Sequence, residues 1–81
     1  MRSVAEVPHE LFQITIFQWN GKYILKIGLD QFEQTFKFNE MEQNLQEIIE
    51  MLNADFLDRV FKRFISMRED RSQAINALKS I

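Results

Sequence analysis

The dipeptide Asn20-Gly21, set between two runs rich in β-branched and aromatic residues, constrains this chain more than any other feature. Asn-Gly is the preferred two-residue hairpin loop, because both residues tolerate the positive φ of a type I′ turn. Such a turn fixes the register of the flanking strands. Trp19 faces Lys22, Phe17 faces Ile24, Ile16 faces Leu25, Ile14 faces Ile27, and Phe12 faces Leu29. Phe12, Ile14, Ile16, Tyr23, Leu25, Ile27 and Leu29 then share one side, and a slip of one residue would scramble that apolar face.

A second turn falls around Gly28-Leu29-Asp30-Gln31, and alternation over Phe32–Phe38 adds Phe32, Phe36 and Phe38 to the same face. Gln34 is the polar exception there, expected to reach backbone or water. The opposite face, with Gln13, Thr15, Glu33 and Thr35, is mostly polar, as in an antiparallel sheet with one solvated side. Near the Asn-Gly turn it is not. Phe17, Trp19 and Ile24 form an apolar patch rimmed by Lys22, Lys26 and Lys37, which makes these six residues the candidate interaction surface.

The second half reads as helical. Asn39 with Glu42 resembles a capping box, and Met41, Leu45, Ile48, Ile49 and Leu52 recur at helical spacing. Asn53 is a stop signal and Asp55 a cap for a second helix, with Leu57, Val60, Phe61, Phe64 and Met67 on its apolar side. Arg68 to Gln73 carry no apolar residue, after which Ala74, Ile75, Ala77, Leu78 and Ile81 return. No glycine or proline interrupts this stretch. Unbroken to residue 80, the helix would span about 39 Å, longer than the roughly 30 Å diameter of a compact domain this size. Either it breaks near Asp70–Ser72 or residues 70–81 project as a tail, with Ile75, Leu78 and Ile81 as the candidate oligomer contact.

The expected fold is therefore α+β in one domain over residues 1–81. A three-stranded antiparallel β-meander (about 10–19, 22–29 and 32–38) carries two C-terminal helices (about 40–52 and 55–69) on one face. Residues 1–8 are expected to be a flexible N-terminal segment.

Composition narrows function mainly by exclusion. Ten bases against twelve acids, a net charge of −2, lack the basic excess of a dedicated nucleic-acid binder. The charge is segregated: Phe38–Asp58 carries six acids and no base, whereas Arg59–Lys79 carries six bases and two acids. Opposite charge on neighbouring helices is expected to attract across their flanks. The absence of cysteine removes disulfides, thiolate catalysis and sulfur-ligated zinc. Two glycines, both in turns, cannot build a phosphate cradle. His9 is the one imidazole available to a serine nucleophile, and its place beside Pro8 suits a surface residue better. General acid–base pairs need an enclosed, partly apolar pocket, and the acids here fall on expected solvent faces.

No enzyme, cofactor or metal is expected. Neither a signal-peptide pattern nor an apolar run of spanning length occurs, so the cytoplasm is the expected compartment, without membrane association. The leading expectation is a protein-interaction domain that binds a protein partner or itself, as a homodimer. The alternative is a single-stranded nucleic-acid platform, with bases stacked on Phe17 and Trp19 and phosphates neutralised by the lysines.

Overall fold

A computed structural model describes residues 1–79. The sheet is a four-stranded antiparallel meander in the order β1 (Arg2–Val7), β2 (Gln13–Trp19), β3 (Lys22–Leu29) and β4 (Phe32–Asn39). Two helices follow, α1 (Leu45–Met51) and α2 (Ala54–Lys79). The α+β class stands, with one strand more than expected. Arg2–Val7 pairs with β2 instead of forming a free N-terminal segment. Its register shifts between Ser3 and Ala5, and Val4, Ala5 and Val7 all pack against the core. That irregularity breaks the period-two pattern by which a strand is recognised in sequence.

Asn20 and Gly21 adopt φ values of 53° and 75°, as a type I′ turn requires. The β2–β3 register is the one that the turn dictates, with Trp19 opposite Lys22, Phe17 opposite Ile24 and Ile14 opposite Ile27. Asp30, also at positive φ, turns β3 into β4 with Leu29 opposite Phe32. One sheet face therefore presents Ile14, Ile16, Leu25 and Ile27, which are buried together with Phe12 beneath Ile48, Val60 and Phe64 of the helices.

The first helix starts later than residue 40. Asn44 is its cap: Glu47 N donates to Asn44 Oδ1 (2.8 Å), and Asn44 N donates back to Glu47 Oε1 (2.9 Å). The same Asn-x-x-Glu spacing occurs at Asn39, so the motif was ambiguous. Asn39 instead ends β4 and closes a turn, its Oδ1 accepting from Met41 N and its carbonyl from Glu42 N and Gln43 N. Met41 is consequently exposed rather than part of the apolar stripe.

The cap of α2 is likewise displaced from expectation. Phe56 N donates to Asn53 Oδ1 (2.9 Å), whereas Asp55 pairs with Arg59 one turn on. From Ala54 the helix runs unbroken to Lys79, about 39 Å at 1.5 Å per residue. It runs against the direction of β4: Phe56 meets Phe36 (5.6 Å between rings), Gln34 Nε2 donates to the Val60 carbonyl (3.0 Å), and Arg68 reaches Asp30 (2.9 Å). On the way it reaches the start of β2, where Phe12 touches Phe61 and Phe64. The molecule measures 50 × 27 × 19 Å, and its radius of gyration of 15.2 Å exceeds the roughly 12 Å of a compact chain of this length.

Candidate interaction surface

The outer sheet face is built by the Asn-Gly turn, whose register sets Phe17 beside Ile24 and Ile24 beside Lys37. Ile24 is only 5% exposed. It sits on an inner strand between Phe17 and Lys37, where an aromatic ring and a lysine stem can cover it. Lys26 Nζ lies 5.2 Å from the centroid of the half-buried Phe17 ring, a cation–π geometry that occupies one ring face. Trp19 is 55% exposed, and Lys22 and Lys37 are exposed around it. Of the three apolar residues that drew attention in sequence, Trp19 alone is strongly exposed.

The second candidate surface lies on α2. Val60, Phe64 and Met67 face the core, and at 100° per residue Arg71, Ala74, Ile75 and Leu78 continue the same stripe. Beyond Arg68 none of these side chains joins the core. Ile75 is half-buried, Leu78 is 73% exposed, and Ile81 lies outside the described residues.

A third apolar area lies between α2 and the β3–β4 turn. Leu29, Phe32, Phe61, Phe64 and Ile65 line a shallow cleft bounded by Arg68, with exposed Leu11 beside Leu29 and Phe32. Ile65 is 45% exposed. The available signal was the width of the stripe: seven apolar residues between Phe56 and Met67 wrap more of a helix than one sheet face can cover.

Ion pairs among the described residues run within α2 (Asp55–Arg59 at 3.4 Å, Asp58–Lys62 at 3.1 Å) or from Arg68 to Asp30. The expected attraction between oppositely charged helices is thus not what pairs these groups. Among the described residues no polar or charged side chain is buried, and no three His, Asp or Glu converge as metal ligands. His9 serves its own loop, its Nδ1 accepting from Leu11 N (3.1 Å) and Phe12 N (3.2 Å) while its ring packs on Phe12. No described helix is long and apolar enough to cross a membrane.

Comparison with protein-family models, curated proteins and solved structures finds no match to this chain.

Proposed function

We propose that this protein is a non-enzymatic, cytoplasmic interaction module that associates with a second copy of itself. Uncovered apolar surface carries the reading. Leu11, Phe61, Ile65 and Leu78 remain exposed, and the core-facing stripe of α2 runs on past the sheet. Removing apolar surface from water is the dominant favourable term in most protein association, and an isologous contact covers the same patch twice. Light scattering on a sizing column at tens of micromolar is the test. A dimer supports the reading, and a strict monomer contradicts it.

Single-stranded nucleic acid is the weaker reading. Lys26 already covers one face of Phe17 and Ile24 is buried, which reduces the stacking platform to Trp19. Titration of labelled oligonucleotides at two salt concentrations separates the two functions, because phosphate contacts impose a steep salt dependence. Absence of binding at low salt would remove this alternative.

A further inference from the structure

We infer that two copies join along the open edge of β4, antiparallel about a two-fold axis at Thr35, to make one continuous sheet. The inference rests on the self-association proposed above and places the contact on the sheet edge, leaving the end of α2 around Leu78 outside it. β4 is an edge strand in the order β1-β2-β3-β4, eight residues long and without a register shift against β3. Glu40 N donates to the Gly21 carbonyl (3.1 Å) just beyond the Lys22–Asn39 pair. Hydrogen-bonded and non-bonded pairs alternate along an antiparallel ladder. The bonded partners of β3 on β4 are therefore Phe38, Phe36, Gln34 and Phe32. The N–H and C=O groups of Glu33, Thr35 and Lys37 consequently point to the open edge.

The residues along that edge are complementary to themselves. With Thr35 opposite its own copy, Glu33 of each chain faces Lys37 of the other, and Phe32 faces Phe38. Moving the axis to Glu33 or Lys37 sets like charges opposite each other. Moving it to Gln34 or Phe36 leaves each charge facing a threonine or another uncharged residue. The Thr35 register alone pairs both charges, and opposite charges directly across a ladder stabilise it whereas like charges do not. A lysine on an edge strand ordinarily discourages pairing. Here its opposite in the second copy is a carboxylate. Phe32, Phe36 and Phe38 are only half-buried along this edge and would gain cover from the second sheet. The other edge differs, because the irregularity between Ser3 and Ala5 interrupts β1.

Charge exchange and a cysteine scan test the inference. Lys37→Glu alone is expected to shift the dimer midpoint upward by about tenfold, and adding Glu33→Lys is expected to restore it. The chain has no cysteine, so Thr35→Cys reports one position only. Its two copies would lie about 5.5 Å apart at Cα, within the range for a disulfide. On mild oxidation Thr35→Cys should form a covalent dimer, while Ser3→Cys on β1 and Leu78→Cys on α2 remain largely monomeric under denaturing conditions. Cross-linking through Leu78→Cys or Ser3→Cys instead, in a protein that scatters as a dimer, overturns the β4 contact and leaves self-association standing. Monomeric mass for the unsubstituted chain overturns both.

Discussion

Between Ala54 and Met67, α2 lies on the sheet with Val60 and Phe64 buried. Between Asp70 and Lys79 the same helix carries Ala74, Ile75 and Leu78 at the same spacing without joining the core. Both halves satisfy the local requirements of a helix, since neither contains glycine or proline. What differs is the surface opposite. An eight-residue strand spans about 26 Å, against about 39 Å for the whole of α2. Periodicity sets which side of the helix is apolar; the length of the neighbouring layer sets how much of that side is covered.

That contrast can be broken by substitution. Phe64→Ala should have the largest effect, lowering stability by about 3–5 kcal/mol, because it empties a site packed by Phe12. Denaturant unfolding would measure it, and a loss below about 1 kcal/mol would mean that the first half is not held as described. Asn53→Ala should cost about 1 kcal/mol by removing the cap on Phe56 N, seen as a lower unfolding midpoint.

Arg68→Ala probes the boundary between the halves. Its pair with Asp30 is more than half exposed on both sides, so a loss of about 0.2–1 kcal/mol is expected, shrinking as salt is added. Leu78→Ala should be the mildest, within about 0.5 kcal/mol in the same unfolding experiment. A clear loss there would show that the second half is covered in solution, and would transfer the dimer contact from β4 to α2.

The parts of the fold legible in the sequence were those set by local chemistry. Asn20-Gly21 determines the hairpin register, and alternation through Phe32–Phe38 determines which face of β4 is apolar. β1 was not legible, because Val4 and Ala5 both pack toward the core across an irregularity that no alternation pattern contains. Local sequence leaves the start of α1 undecided, because Asn39 and Asn44 each precede a glutamate by three residues. Only the course of β4 through Asn39 decides between them.

The candidate surfaces were legible to a similar depth. Trp19 and the lysines around it could be assigned to a face from register alone. The burial of Ile24 depends on which side chains lean over it, and the cleft lined by Phe32, Phe61 and Ile65 depends on where α2 crosses the sheet. The edge complementarity of Glu33, Thr35 and Lys37 was present in the sequence. It acquired meaning only when the strand order left β4 outermost.

Self-association is the claim on which the functional account stands, and sedimentation equilibrium over a range of concentrations tests it most directly. The account predicts a species approaching twice the 9.7 kDa chain mass as concentration rises, with Lys37→Glu displaced toward monomer and the Glu33→Lys, Lys37→Glu pair restored. A fit to 9.7 kDa at every concentration would contradict it.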